Sequence, residues 1–265
     1  MNCSTQIHVT SRAASAVAAM LGVAMSWSSV ALAQSVRTDG GAESQWSIGL
    51  GAASVQKAYR NIDKENSAIP LLGYENNWVS FSISKLDVKL YANQSLSLRF
   101  RARYANEGYQ SSDSPYLAGM DERQGGFWVG GAAIWNNDIA NVTAELLGDA
   151  SGNSKGARVK FQVDRRFGLG SLGVTPRLGI EWYDQKFVDY YYGVKAPEAR
   201  VGRSAYQGDS SSSVEAGLRV DYSPVRQHTL FLDFGVTQFG AAIKGSPLLE
   251  KSSQSKTSIG YIYKF

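Results

Sequence analysis

"SLSLRFRARY", residues 95–104, separates by parity: Leu96, Leu98, Phe100, Ala102 and Tyr104 share one face, while Ser97, Arg99, Arg101 and Arg103 share the other. Strict alternation is the mark of a β-strand whose two faces meet different surroundings. A soluble β-sandwich also alternates, turning its apolar face to a core and its polar face to water. Here, however, the polar face is ionic, and the same charged parity returns on strand after strand. Asp87 and Lys89 precede the arginines, and Glu145, Arg158, Lys160, Arg177, Glu181, Glu215, Arg219, Asp221 and Asp233 follow them. A closed barrel that turns this face to a wet lumen and its Leu/Val/Phe face to lipid satisfies both sets, and leaves no backbone unpaired in hydrocarbon. An arginine turned to lipid near the midplane would cost about 2–4 kcal/mol, so the parity of each strand is strongly specified.

Period-two segments predict strands near 46–55, 69–74, 77–84, 86–92, 95–105, 126–136, 139–149, 157–167, 171–187, 211–223, 228–240 and 253–265. The reading is an all-β, closed antiparallel transmembrane barrel of about twelve strands, with ten as the lower count. Long connections (56–68, 106–125, 188–210, 241–252) alternate with tight ones such as Asn93-Gln94 and Asn136-Asn137-Asp138, with two exceptions among the expected long ones, around Lys85 and at 150–156. Long loops at one rim and short turns at the other fit a bacterial outer-membrane barrel with both termini in the periplasm. Trp46, Tyr91, Trp135, Tyr222 and Phe265 are assigned to one interfacial girdle, and Tyr104, Trp128 and Trp182 to the other.

The beginning of the chain reads as a cleaved export signal. Arg12 precedes an apolar, small-residue run that ends in Ala31-Leu32-Ala33 before Gln34, the A-x-A pattern of a signal peptidase site. Residues 1–33 are then the signal peptide, 34–45 a flexible lead-in and 46–265 the barrel. The single cysteine, Cys3, lies within that signal, which excludes disulfides and thiolate metal sites from the rest. With 27 Lys+Arg against 23 Asp+Glu, the net charge of +4 is too slight and too scattered for nucleic acid.

The chain closes on "SIGYIYKF", residues 258–265. Ser258, Gly260, Tyr263 and Phe265 resemble the C-terminal signal by which outer-membrane barrels are recognised by their assembly machinery. An unpaired edge strand with one apolar face is a template for strand pairing, which such machinery can capture before closure hides it.

Catalytic chemistry is poorly represented. His228 sits at a tight turn without a positioned partner, and no zinc-type cluster or phosphate loop is present. Glu181 and Glu215 on neighbouring strands read as paired charges of a wet interior sooner than as a glycosidase dyad. The expectation is a protein that is not an enzyme and holds no cofactor. The Arg99/Arg101/Arg103 ladder suits either anion selection in a channel or a salt-bridged filling built with Asp87.

The stretch "TPRLGIEWYDQKFVDYYYGVKAPEA" (175–199) resembles the MltA-interacting protein (MipA/OmpV) family of outer-membrane barrels. The matching residues are Tyr190, Tyr191, Tyr192, Gly193 and Val194, then Glu198 and Ala199, and Tyr206. Ser246 and Pro247 in "GSPLL" match an Asp-Ser-Pro element of the family, with Gly245 in the place of its aspartate. The resemblance implies a non-enzymatic scaffold in the outer membrane of a Gram-negative bacterium, joining a murein lytic transglycosylase to a penicillin-binding protein. A narrow channel for small solutes or ions is the alternative. In this topology the tyrosine run belongs to the long-loop rim, where it would fold inward and plug the mouth.

Overall fold

The computed structural model describes residues 44–62 and 64–265. The expected signal peptide, its Ala31, Ala33 and Gln34 cleavage site, and all but the last two residues of the lead-in lie outside the described residues.

One antiparallel sheet closes on itself. Its strands are β1 (Gln45–Gln56), β2 (Glu65–Glu75), β3 (Val79–Ser82), β4 (Lys85–Ala92), β5 (Leu96–Ala105), β6 (Gly126–Asn136) and β7 (Asn141–Asp149). They are followed by β8 (Ala157–Asp164), β9 (Phe167–Leu169), β10 (Leu172–Tyr183), β11 (Ser211–Val225), β12 (His228–Gln238) and β13 (Ser253–Lys264). Each strand pairs with its neighbour in sequence except β8, which pairs with β10 and not with β9; β13 pairs with β1, and β10 meets β11 over twelve residue pairs. β8 and β9 both pair with β10 and form one stave, so the barrel has twelve. The interruption falls opposite Pro176, which has no N–H to give to a ladder; its carbonyl takes a bond from the Arg165 N–H at 3.3 Å instead.

The apolar parity faces outward. Leu50, Leu146, Phe161 and Leu178 are 53–64% exposed, while Arg99, Arg101, Glu145 and Arg158 on the other parity are each less than 9% exposed. An inward-facing ionic surface and an outward apolar belt are the inverse of a soluble core and fit a barrel solvated by lipid. Where the inner face is apolar it is locally matched: a Cβ on Gly260 would stand 2.7 Å from the Phe231 ring, so glycine there lets the ring lie against the wall.

Both ends of the described chain and most of the short turns share one rim; the long loops point to the other side, together with the tight β3–β4 turn at Ile83 and Ser84. Three short turns repeat one device. The Oδ1 atoms of Asn76, Asn93 and Asn137 each accept two backbone N–H groups, from Trp78 and Val79, from Ser95 and Leu96, and from Ile139 and Ala140, at 2.7–3.0 Å. An asparagine side chain that closes the turn in this way explains why so few residues suffice.

Two expectations need correction. The strand predicted over 171–187 stops at Tyr183, because Asp184 caps a helix, α1 (Gln185–Tyr192), by accepting the Phe187 N–H on its Oδ1 at 2.9 Å. Trp128 is no girdle residue. It shares parity with Gly130 and Ala132, points into the barrel and is fully buried.

The wall has one seam held without strand pairing. β3 meets β2 only at Gly73–Glu75, so residues 65–72 have no strand neighbour on that side among the described residues. Pro70, a residue suited to strand edges, lies in this stretch. Ile83 and Tyr104 close the gap by packing on Ala53, Val55 and Ile69.

Candidate functional site

Ionic side chains from eight strands stand inside the lumen, most of them in ion pairs. Opposite each other on β4 and β5 stand Lys85 and Arg103, Asp87 and Arg101, and Lys89 and Arg99. Two of these pairs are like-charged, an arrangement that repels unless anions intervene. Asp87 supplies the first, receiving Arg101 through Nε and Nη2 at 2.7 Å each, Arg99 at 3.3 Å and Lys85 at 3.6 Å. Arg101 turns its remaining Nη1 to Glu145 on β7 at 2.7 Å, and Lys89 pairs with Glu75. Arg103 reaches Glu145 at 3.2 Å and, four staves away, Glu181 on β10 at 3.3 Å. Arg177 grips Asp233 at 2.9 and 3.0 Å and Glu215 at 3.2 Å; Glu215 also receives Lys160 at 2.7 Å. Arg219 lies over the Phe231 ring, 4.1 Å from its centroid.

Above this ionic layer is a cavity of about 130 Å³. Arg103, Arg158, Glu181 and Glu215 form part of its floor, and Tyr59, Tyr183, Phe187, Tyr192 and Phe239 its ceiling. Arg158 joins the two layers. It donates to Glu181 and to Glu107 at 2.6 Å, and its guanidinium lies 5.2–5.4 Å from the rings of Trp128, Tyr183 and Phe187.

The ceiling belongs to the main apolar core of the described residues, which fills the mouth of the barrel and is built from its loops. α1 lies across the opening with Phe187, Val188, Tyr191 and Tyr192 buried. Phe187 stacks on Tyr183 with 4.4 Å between centroids, and Tyr192 stacks on Tyr59 at 5.8 Å. The Tyr59 hydroxyl donates to the Tyr191 carbonyl at 3.1 Å, tying the first loop to α1.

Family-motif residues from three loop segments meet in this plug. Tyr190 accepts the Gln124 N–H on its hydroxyl at 3.0 Å and the Arg123 Nε on its carbonyl at 2.7 Å. Gly193 ends α1 by donating to the Asp189 carbonyl, and Val194 pairs with Tyr206. Glu198 is buried and receives the Arg123 Nη2 on both oxygens at 2.9 and 3.0 Å, while the Ala199 N–H closes a 3-10 turn on Ala196. The Ser246 hydroxyl donates to the Tyr192 carbonyl at 2.6 Å, and the Pro247 carbonyl takes a bond from Arg60. The Tyr206 hydroxyl donates to the Ala242 carbonyl on a second short helix, α2 (Ala241–Lys244). Gly245 is the C-cap of α2 and donates to the Ala241 carbonyl.

Burial and nearby anionic or phenolic groups raise the phenol pKa values of Tyr59, Tyr191 and Tyr192 well above that of a free tyrosine. Tyr109 is raised by burial against the opposing pull of Arg123.

Along β13, Ser258 and Gly260 face inward at mid-wall, and Tyr263 faces outward near the opposite rim. The Phe265 N–H donates to the Trp46 carbonyl at 3.0 Å, and its ring meets Tyr263 edge-on. His228 bonds through Nδ1 to the Tyr261 hydroxyl at 2.6 Å and has no carboxylate partner. Among the described residues no group of His, Cys, Asp and Glu could hold a metal ion.

Comparison with known proteins agrees with this architecture. The chain is 26% identical to the Escherichia coli K12 outer membrane protein YiaT, over 84% of this chain and 92% of that one. Identity and coverage are the same for the MltA-interacting protein of Escherichia coli K12. OmpV of Vibrio cholerae is 24% identical over 84% of this chain and 88% of its own. Residues 48–265, nearly the whole barrel, match the family model described as MltA-interacting protein MipA, and the chain belongs to that family of outer-membrane barrels.

Proposed function

We propose that this outer-membrane barrel acts as a non-enzymatic scaffold for enzymes of murein turnover. The observation that carries the reading is the filled lumen. Arg103–Glu181 bridges staves far apart on the wall, and a loop-built aromatic core closes the mouth above it. A barrel so occupied acts through its surfaces. One relative is called MltA-interacting protein, which supports a lytic transglycosylase as partner. A penicillin-binding protein is the second partner expected of such a scaffold. Its docking face is the short-turn rim, which the reading sets in the periplasm with both termini, where Trp78 and Ile139 are 72% and 76% exposed. Lipid covers the outward belt, and the assembly machinery takes up the C-terminal strand. The test is co-purification from solubilised envelopes. A lytic transglycosylase enriched with this protein over an unrelated twelve-strand barrel supports the scaffold; equal recovery with both removes it.

The narrow-channel reading draws on the cavity between the ionic floor and the aromatic ceiling. Conduction would require α1 to leave the mouth, which costs the burial of four side chains.

A further inference from the structure

Arg200 and Arg203 face each other across a tight turn on the long-loop rim. Their backbones exchange both hydrogen bonds at 2.9 Å, and Gly202, at φ +81°, supplies the left-handed corner of the turn. The two side chains converge on a single acceptor: Arg200 Nη2 and Arg203 Nη1 both donate to the Tyr116 carbonyl. A third arginine reaches the same residue from the first loop. The guanidinium carbons of Arg60, Arg200 and Arg203 lie 5.5, 5.9 and 5.9 Å from the centre of the Tyr116 ring.

Like charges opposed in this way repel unless an anion stands among them. Inside the lumen the chain supplies it, since the opposed cations of β4 and β5 are held by Asp87, Glu75 and Glu145. At the rim, among the described residues, no carboxylate comes within ion-pair distance of the three arginines. The acids nearby are engaged elsewhere: Glu198 with Arg123, and Asp121 with Lys195. Asp113 and Glu250 accept the backbone N–H groups of Gln110 and Asn61. Arg203 is 2% exposed, and its N–H groups end on the carbonyls of Tyr116, Ala118 and Glu198. Those bonds satisfy its donors and leave its charge unneutralised. Burial, and after it the charge of Arg200, hold the Arg203 pKa below that of a free arginine.

We propose that this cluster is a binding site for a phosphomonoester group, carried by a lipid headgroup or present as free phosphate. Near pH 7 such a group brings about two negative charges and three acceptor oxygens, which match the planar fork of arginine. A monocarboxylate brings a single charge and two oxygens, which one fork saturates. Arg200 spends Nη2 on carbonyls and Arg60 spends Nε, and both residues are exposed, so their remaining N–H groups are open to a ligand. Arg203 acts from behind, through its charge. In the orientation proposed above this rim looks outward, toward the outer-leaflet headgroups and the medium, so both sources reach it. The scaffold reading does not require this site, and the site does not require a murein partner.

The probes are inorganic phosphate and diphosphoryl lipid A, each titrated calorimetrically into the full-length barrel in dodecyl maltoside micelles at low salt. Acetate serves as the comparison. Phosphate should bind with a millimolar or lower dissociation constant, and acetate at least about tenfold more weakly. Lipid A bound at least about tenfold more tightly than phosphate assigns the site to a headgroup, and equal or weaker binding assigns it to free phosphate. Arg200→Gln and Arg60→Gln should each weaken the tighter probe by about fivefold or more. Arg226→Gln, which removes the same charge from an exposed turn of the opposite rim, should leave binding unchanged. Heat-modifiable migration identifies variants that still form the barrel; should Arg200→Gln fail to fold, Arg60→Gln decides. Absence of binding by both probes to the wild-type barrel overturns the proposal. So does a loss with Arg226→Gln as large as that with Arg200→Gln, or full-strength binding by the Arg60→Gln, Arg200→Gln double variant, since the anion would then be answering overall charge or the micelle.

Discussion

Asp87 and Arg101 face each other across β4 and β5 in a two-pronged ion pair, both N–O distances 2.7 Å, inside a barrel whose other face meets lipid. Asp87 is 0% exposed and, among the described residues, is the only carboxylate within ion-pairing distance of Lys85 and Arg99. Removing one partner of a buried pair leaves its counterpart uncompensated and costs about 3–5 kcal/mol. Asp87→Asn should therefore lower the urea midpoint of the folded barrel by that equivalent. Asp87→Leu combined with Arg101→Leu should cost less than the two single changes together, because in the double variant neither member of this pair is left stranded by the loss of the other, while the loss of Asp87 to Lys85 and Arg99 is counted only once.

The mouth predicts the conductance. Wild-type barrel in a planar bilayer should stay at baseline, because α1 and the loop core lie over the ionic layer. Phe187→Ala with Tyr191→Ala removes two fully buried rings. This variant should retain heat-modifiable folding and show discrete openings. Openings in the wild type at comparable frequency would sink the occluded-lumen account and favour the channel.

How legible this was follows from the physics of each region. The wall was readable because lipid and lumen impose opposite demands on adjacent residues, so Leu98, Arg99 and Phe100 declare their faces without any knowledge of the fold. The tyrosine motif could be located at a rim, but its partners could not be named: Tyr59 and Arg123 sit in loops, where periodicity is lost and contacts are set by tertiary closure. Glu107 continues the parity of Arg103 and Ala105 just past the end of β5, a signal that extending the strand by two residues would have found. Trp128 stands near a strand end, as a girdle residue would, but its parity with Gly130 and Ala132 decides its face. Asp184 was the overlooked stop: an N-cap residue three positions before Phe187 turns an apparent strand into α1.

The plug should respond to alkaline pH. Tyr59, Tyr191 and Tyr192 have their phenol pKa values raised, chiefly by burial. The neutral phenol is thus the form that the folded mouth prefers. Its contribution to stability is fully present below the unfolded pKa of about 10 and declines as pH climbs from there toward the raised folded values. Tyrosinate absorbance should rise in two stages, exposed phenols first, with a later stage accompanied by protease cleavage in the long loops. A single stage near pH 10 in an uncleaved barrel would show that these tyrosines are not buried as described.

The proposed assembly role of Phe265 is separable by experiment from any role in stability. β13 lies between β12 and β1 and so closes the barrel, yet the Phe265 side chain is 72% exposed and its main structural tie is a backbone bond to Trp46. A substitution that leaves that bond in place and removes only exposed surface changes stability by less than about 0.5 kcal/mol. Phe265→Ala should accordingly refold from urea into detergent with an unchanged midpoint. In cells, the proposed capture of the strand as an open edge predicts that the same variant accumulates as unassembled precursor and reaches the outer membrane in reduced amount. Equal reductions in refolding and cellular assembly would make the ring an ordinary packing element, and normal levels of both would remove its role as an address.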